Sequence, residues 1–280
     1  MSQKLIQKIM NNIFKFSGMI SLFLLVIIIL YIVVNGINVI NFEFIFSNPI
    51  DSGRDGGIFP MILSSFYLLI IAMSIAIPVV GVGSAIYIVE YNENQKLAML
   101  VMFLSQTLAS IPSIVFGLAG LAFFVFFLKL GWSILTAGLI LSLMSIPTIF
   151  QVSEMSLKNV SKRYKEGSYG LGATKWQCIK TIILPTAIGA IFTGIILALT
   201  RAFSEAAAVM YLVGSTIDIP TSLLDTGRPL PLHLYVLASE GISIENAYGT
   251  AFVLLIIVLG ITLFSNYMIS NYQAKQGVME

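Results

Sequence analysis

The segment that decides the fold lies between two long apolar runs, at residues 153–185, and reads SEMSLKNVSKRYKEGSYGLGATKWQCIKTIILP. Leu157, Val160 and Tyr164 recur in it at helical spacing, which predicts a short helix with one apolar side and one basic side. Glycines are expected to break this helix, because glycine permits a tight backbone turn. These glycines are Gly167, Gly170 and Gly172.

A second short helix is predicted after the glycines, with Trp176, Ile179 and Ile183 on one face. Such a pair of helices has two interpretations. It is either a basic amphipathic loop that touches anionic lipid headgroups or a docking site for another protein. Composition alone favours the surface loop.

The whole chain has the composition of an integral membrane protein. Hydrophobic residues make up 58% of its 280 residues and charged residues only 10%, whereas soluble domains have roughly 25% charged residues. Several apolar runs approach or exceed the ~20 residues of a membrane helix, and they lack the alternation of outer-membrane strands. The predicted fold class is therefore all-α, a bundle of membrane helices. Six spans are predicted, at about residues 16–35, 61–89, 98–128, 133–153, 182–212 and 246–270.

The placement of lysine and arginine predicts the orientation, because cytoplasmic loops retain positive charge. With the N-terminus inside, eleven of the fifteen basic residues lie in cytoplasmic segments, three lie in outer loops, and Arg201 lies within a span. The bias predicts a multi-pass protein of the cell membrane with both termini in the cytoplasm. Lys4, Lys8 and Lys15 precede the first apolar run without a small-residue cleavage signal, so the first helix is expected to be retained.

Residues that could perform chemistry are scarce. Cys178 and His233 are the only cysteine and histidine, too few for a zinc cluster, a disulfide framework or a histidine-based catalytic triad. The stretch GLGATKW lacks the glycine that precedes lysine in a phosphate-binding loop. We therefore expect a chain that is no enzyme and binds no cofactor or metal. Cys178 is interpreted as an apolar filler and His233 as a packing residue of an outer loop.

The basic segment resembles the EAA loop of ABC-importer permeases. That loop reads Glu-Ala-Ala, three residues, Gly, nine residues, then Ile-x-Leu-Pro, and every interval is matched here, with Gly167 and Ser168 replacing the two alanines. The resemblance implies a six-helix, type I, MetI-like transmembrane domain that is coupled to a separate ATPase through this loop. The coupling residues it implies are Glu166, Gly167, Ser168, Gly172, Leu184 and Pro185.

Five further stretches are similar to permeases of the phosphate-specific transport (Pst) family, and more to the PstA type than to PstC. They are GGIFP (56–60), IPVVGVGSAIYIVEY (77–91), IPSIVFGLAGL (111–121), RAFSEAAAVM (201–210) and LPLHLYVLASEG (230–241). The chain departs from the family at Ser64-Ser65, where Gly-Thr is common, and at Ser204 and Ala206, where Gly and Thr flank the glutamate.

The resemblance also implies a division of the chain and a set of partners. Residues 1–60 would hold the N-terminal cytoplasmic tail, the first membrane helix and an outer loop. Residues 61–272 would form the permease core with its coupling loop at 154–185, and residues 273–280 a cytoplasmic tail. The implied partners are a PstC-like second permease, two PstB-like ATPase subunits that bind ATP and magnesium, and an external PstS-like phosphate-binding protein. The resemblance also implies contact with phosphate and membrane lipid, and it implies no nucleic-acid partner.

Arg201 and Glu205 stand inside an apolar run, where charge is costly unless it faces a polar cavity or a partner. Their spacing of four predicts that they share one face of the fifth helix and pair. One interpretation is a neutralised pair that locks helices together. For the phosphate pathway implied by the resemblance, the arginine fork would fit phosphate oxygens, and Glu205 would hold Arg201 between turnovers and weaken the retention of the anion.

Rival functions stay open. One is an ABC permease for another oxyanion, molybdate or sulfate; the other, from a different class, is an ATPase-independent channel or a membrane enzyme. The second is disfavoured because the sequence offers no nucleophile–base set, and because a free channel has no use for a coupling loop. Among the remaining charges, Glu90 beside Tyr91 is interpreted as an interfacial anchor. Asp218, Asp225, Arg228 and Glu240 are interpreted as solvated charges of the outer loop, where a binding protein would dock.

Overall fold

The computed structural model describes residues 3–275, and residues 1–2 and 276–280, which belong to the two predicted tails, lie outside it. Helices dominate this range. Two strands of two residues each pair in antiparallel fashion, with Pro49 opposite Gly56 and Ile50 opposite Asp55. The elements are α1 (Gln3–Gly36), α2 (Phe42–Phe46), β1 (Pro49–Ile50), β2 (Asp55–Gly56), α3 (Phe59–Tyr91), α4 (Gln95–Ser110), α5 (Ser113–Phe127), α6 (Ile134–Lys158), α7 (Lys162–Gly170), α8 (Lys175–Phe203), α9 (Leu230–Ser239) and α10 (Ile244–Lys275).

The helical class is confirmed, and the described residues hold five to six apolar helices of membrane-spanning length, against six predicted spans. α1, α3, α6, α8 and α10 are each long and apolar enough to cross a membrane, and α4 with α5 makes a sixth crossing if the bent pair counts as one. This third span is bent by 98°. Ile111 is extended there (φ −70°, ψ 129°), because the ring of Pro112 disfavours helical backbone in the residue before it.

Two apolar clusters hold the helices together. The larger one lies where α3, α6 and α8 pack, with Ala72, Ala137 and Ala198 fully buried. The smaller one lies at the end of the bundle that holds α7, and includes Leu157 and Ile183. We call this end the inner side, after the orientation predicted from charge, and the opposite end the outer side.

The outer loop between α8 and α9 caps α6. The first N–H groups of a helix have no partner within it, and at α6 this end is buried. The N–H groups of Ser133 and Ile134 donate to the carbonyls of Leu212 and Asp225, at 2.9 Å each. Thr136 Oγ1 donates to the same Leu212 carbonyl at 3.0 Å. The loop is therefore ordered by the helix that it covers.

Arg228 differs from its interpretation as a solvated charge. Only 8% of it is exposed, because it ties two outer segments together. Nη1 donates to the Ser52 carbonyl at 3.1 Å and Nη2 to the Ser215 carbonyl at 2.8 Å. Asp218 and Glu240 are exposed, as expected, and Asp225 is half-buried.

The first helix is attached to the bundle near its outer end. A Cβ on Gly36 would lie 2.6 Å from the Tyr248 carbonyl oxygen and 2.8 Å from Phe252 Cβ, so α1 and α10 meet almost backbone to backbone. The rings of Tyr31 and Tyr248 meet edge to face with centroids 5.6 Å apart. Small residues allow such close packing of membrane helices.

We expect Gly36→Val to lower thermal stability, because the added side chain must push α1 away from α10. Overpacking of this kind costs about 1–3 kcal/mol. Gly18→Val is the matched control on the same helix, since a Cβ at Gly18 meets nothing within 4 Å. Melting of the two purified variants in detergent measures the effect, and equal melting temperatures would contradict it.

Candidate functional site

The inner loop, residues 159–174, and the helix ends beside it differ from the two short helices predicted for residues 153–185. No single helix spans residues 157–164, because α6 continues to Lys158 and α7 begins only at Lys162. Leu157 and Val160 are buried in the inner cluster, whereas Tyr164 is exposed. The second predicted helix is continuous with the fifth span as α8, and its Trp176 is exposed although Ile179 and Ile183 are buried. The apolar residues at helical spacing thus belong to different elements.

A single glycine ends α7. Gly167 and Gly170, predicted to break the helix, lie within it, and Gly172 has a φ of +83°. The N–H of Gly172 donates to the Tyr169 carbonyl at 2.9 Å, and the N–H of Ala173 donates to the Ser168 carbonyl at 3.2 Å. These two bonds with a left-handed residue between them form a Schellman motif, which requires glycine-like backbone freedom.

The end of α7 points away from the bundle. Leu171, next to Gly172, is 91% exposed, and Tyr164 and Trp176 are exposed as well. Of the predicted coupling residues, Glu166 and Gly167 are exposed, Ser168 is buried, and Leu184 and Pro185 are half-buried. Apolar side chains held out at the end of a short helix can enter a groove on another protein.

Arg201 and Glu205 do not share a helix face, contrary to the prediction. α8 ends at Phe203 with Ser204 as its C-cap, so Arg201 lies in the last turn and Glu205 lies beyond the helix. The Glu205 carboxylate accepts a hydrogen bond from the Ala208 N–H at 3.2 Å and thereby stabilises the following turn. Both residues are described, and no ion pair joins them.

The two residues nevertheless line one cleft between α6 and α8. The cleft has a volume of about 10 Å³, enough for one water molecule. Ser145 and Thr148 of α6 also line it. Sequence reasoning missed these two hydroxyls. Their spacing of three within an apolar span, next to Pro147, is the signal that could have identified them.

A wider groove lies between the same helices on the inner side. Its volume is about 380 Å³, and its polar lining comes from Ser156 and Asn159 on one side and Thr186 and Thr193 on the other. The two threonines belong to a stripe along α8 that is exposed in this chain and ends next to the cleft. The stripe consists of Thr186, Ala190, Thr193, Leu197, Arg201 and Ser204.

Glu90 is not the interfacial anchor that its position suggested. The carboxylate is buried, and its Oε1 lies 2.5 Å from Lys165 Nζ of α7. The partner is 75 residues away in sequence, so no local pattern indicates the pair. Within residues 3–275, no group of three or more His, Cys, Asp or Glu residues is arranged to hold a metal ion.

His233 is a packing residue, as interpreted. It lies in α9, outside the membrane-spanning helices, and is 1% exposed with its ring against Gly53. Burial, aided by the nearby Arg228 charge, lowers the pKa of the His233 imidazole to about 3. The ring is therefore neutral at any physiological pH, which excludes it as a physiological pH sensor.

The His233 pKa predicts how stability depends on pH. The unfolded chain binds a proton near pH 6.5 and the folded chain only near pH 3, so stability is complete above pH 6.5 and falls as the pH drops below it. At about pH 5.5 the loss is about 1.4 kcal/mol. Thermal melts at about pH 7.5 and 5.5 measure it. The drop is expected to disappear in His233→Gln, and an equal drop in that variant would contradict the assignment.

Comparison with known proteins adds to this geometry. Residues 78–276 match the family described as "Binding-protein-dependent transport system inner membrane component". The chain is 33% identical to "Probable ABC transporter permease protein YqgI" of Bacillus subtilis, with 96% of each chain covered.

Two phosphate permeases are matched at the same identity. The chain is 30% identical to "Phosphate transport system permease protein PstA" of Mycobacterium leprae, covering 75% of this chain and 69% of that one. It is also 30% identical to "Phosphate transport system permease protein PstC" of Haemophilus influenzae, covering 79% and 78%.

Solved structures share the fold at low identity. The alginate-importing bacterial ABC transporter superposes with a TM-score of 0.67 at 15% identity, covering 96% of this chain and 99% of that one. The MetNI methionine ABC transporter superposes with a TM-score of 0.61 at 17% identity, covering 77% and 94%. The MetI-like transmembrane fold expected from the EAA-type spacing is confirmed.

Proposed function

Because this chain belongs to the binding-protein-dependent transport system inner membrane components, and is a non-catalytic, multi-pass permease subunit of an ABC importer, we propose that its solute is inorganic phosphate. ABC permeases of this family work with a separate ATPase and a substrate-binding protein. The proposal therefore concerns the solute, the type of permease and the residues that handle the anion.

The observation that supports phosphate is the position of Arg201. Its side chain is exposed at the outer end of α8, and no carboxylate in the described part of the chain neutralises it. A guanidinium presents a planar fork of donors that fits two phosphate oxygens and keeps its charge at every physiological pH. In a membrane protein such a charge is expected to face a polar cavity or a partner.

The α8 stripe gives the anion a route from Arg201 towards the inner side. Below the arginine the stripe offers Thr193 and Thr186, whose hydroxyls donate to the helix carbonyls of Gly189 and Ile182 at 3.1 and 2.7 Å. Rotation away from these carbonyls would let them donate to an oxyanion without adding a charge that would trap it. Sites that bind too tightly do not release, so a single fixed charge followed by neutral donors suits transport. The stripe is exposed in this chain, and we propose that the second permease covers it.

The role proposed for Glu205 changes with the geometry. It does not hold Arg201 in this conformation, since its carboxylate accepts the Ala208 N–H. It still lines the cleft with Arg201, so its negative charge would repel a bound anion and weaken retention. Arg201 and Glu205 thus remain the proposed substrate-pathway residues, with opposite effects on affinity.

We propose the PstA type, because the stretches quoted above are more like PstA than PstC. The partners would then be a PstC-like second permease, two PstB-like ATPases that bind ATP and magnesium, and a PstS-like phosphate-binding protein outside. The coupling contact is proposed at Glu166, Gly167, Ser168, Gly172, Leu184 and Pro185, around the exposed end of α7.

Uptake of radiolabelled phosphate tests the proposal. Proteoliposomes would contain the assembled complex, its binding protein and internal ATP, and excess unlabelled phosphate, molybdate or sulfate would compete. We expect only phosphate to suppress uptake. Suppression by molybdate or sulfate would assign the solute to another oxyanion, and uptake without ATP would favour a channel.

A further inference from the structure

An ion pair with a buried carboxylate and a partly buried ammonium joins α7 to the inner end of α3. The side chains of Glu90 and Lys165 are 5% and 19% exposed, and Oε1 lies 2.5 Å from Nζ. The exposed ion pair Arg54–Asp51, by comparison, has both side chains about 60% exposed. A buried charge loses its hydration, so it stays in place only while its partner compensates it. The relative position of the two helices is therefore constrained here.

A second contact reinforces the first. Lys175, at the start of α8, places its ammonium 5.1 Å from the ring centre of Tyr91, the residue after Glu90. Cation–π contacts at this distance are attractive. Lys165 before the Gly172 turn and Lys175 after it thus both contact the last two residues of α3. These contacts link α7 to α3, which is not its neighbour in sequence.

The other end of α3 contacts the outer loops. Ser65 Oγ accepts a hydrogen bond from the Leu230 N–H at 2.8 Å, at the start of α9. A Cβ on Gly227 would lie 2.9 Å from Ser64 Oγ, so the outer loop packs tightly on α3. α3 has 33 residues and would span roughly 50 Å as a regular α-helix, and its segments Ala76–Gly83 and Tyr87–Tyr91 are wound as π-helix. One helix therefore connects the loop that faces the ATPase with the loop on the outer side.

We infer that the Glu90–Lys165 pair is a latch that makes α3 move with α7, so that ATPase closure is passed to the outer loops through α3 as well as through α8. The inference rests on the assignment of the chain as an ABC permease. It depends on the proposed solute only in the second test, which measures phosphate uptake. Lys165 and Glu90 act as positioning residues and do not contact the solute. A purely stabilising ion pair makes no prediction about movement, whereas the latch predicts that α3 and α7 move together when the ATPase closes.

The first test measures that motion without any solute. Spin labels at Tyr87→Cys on α3 and Lys162→Cys on α7 occupy exposed positions outside the proposed ATPase contact, and the buried Cys178 stays unlabelled. Their separation is measured by pulsed EPR in the lipid-reconstituted complex with its ATPase, nucleotide-free and ATP-trapped. We expect the separation to stay constant in the otherwise wild-type chain and to change on ATP trapping in Lys165→Met. A change in the otherwise wild-type chain would overturn the latch.

The second test compares phosphate uptake per ATP hydrolysed. We expect Lys165→Met and Glu90→Gln to lower the ratio about tenfold, within the usual range of coupling between sites. The double variant Glu90→Lys/Lys165→Glu is expected to recover most of it, which a general loss of fold would not do. Lys162→Met removes an exposed charge from the same helix and should leave the ratio unchanged. Equal ratios in Lys165→Met and Lys162→Met would overturn the inference.

The two tests separate this inference from the proposed solute. If the wild-type complex hydrolyses ATP but takes up no phosphate, the solute is wrong while the label separation still decides the latch. If the single variants fail to assemble, the label separation in the otherwise wild-type chain and the charge-swapped variant give the answer.

Discussion

Arg201→Ala is expected to lower ATP-dependent phosphate uptake by about 100-fold, the factor that corresponds to the loss of roughly 3 kcal/mol of anion binding along the pathway. The guanidinium would form charge-assisted, two-pronged hydrogen bonds with phosphate, and alanine supplies none. Arg201→Lys keeps the charge but loses the fork, so uptake is expected to fall strongly there too. The residue is exposed in the last turn of α8, so the substitution should not disturb the core of this chain.

The control for this experiment lies one turn away. Leu197→Ala shortens an exposed side chain of the same stripe without removing charge, so it reports any loss caused by poorer packing with the second permease. Copurification of the ATPase measures assembly in each variant. Normal uptake in Arg201→Ala would remove Arg201 from the pathway and return it to a structural role.

Gly172→Ala is expected to reduce copurification of the ATPase about tenfold, because a side chain in the left-handed region costs about 1–2 kcal/mol. Gly172 has a φ of +83° and supports both hydrogen bonds that end α7. Alanine would favour a different backbone there and would displace Leu171 and the end of α7.

Gly167→Ala is the matched control, since it adds the same methyl group to the same loop. Gly167 lies within α7, and a Cβ there meets nothing within 4 Å. Alanine is favoured over glycine within a helix by about 0.5–1 kcal/mol, and it is also the residue of the EAA pattern. We expect normal or improved copurification for Gly167→Ala. Equal losses in both variants would show that bulk, and not backbone conformation, limits the contact.

The spans and the permease family could be predicted from sequence, because length, apolarity and the fixed intervals of the EAA-type pattern are local properties. The end of the fifth span could not. The stretch after Phe203 is rich in apolar residues, yet the helix ends there with Ser204 as its C-cap, and the Ala208 N–H donates to the Glu205 carboxylate in the turn that follows. The predicted pairing of Arg201 with Glu205 was wrong for this reason.

Long-range partners account for the other differences. Charged residues near span ends usually reach the interface, which is why Glu90 is interpreted as an anchor, yet its carboxylate is buried against the partly buried Lys165. Arg228 is interpreted as solvated because it lies in an outer loop, and it instead bonds to Ser52 and Ser215. Glycines also differ among themselves: Gly172 has positive φ, whereas Gly167 lies within α7, and composition does not distinguish them.

The separation of the two apolar clusters has a consequence for amide hydrogen exchange. The inner cluster and the main core share only partly buried neighbours such as Val82 and Ile195, so the inner side forms a small cooperative unit of its own. Its amides around Leu157 and Ile179 should exchange by local opening, well before those of the main core. An ATPase docked on α7 would then slow exchange in this unit alone, and the membrane half of the chain would keep its own rate.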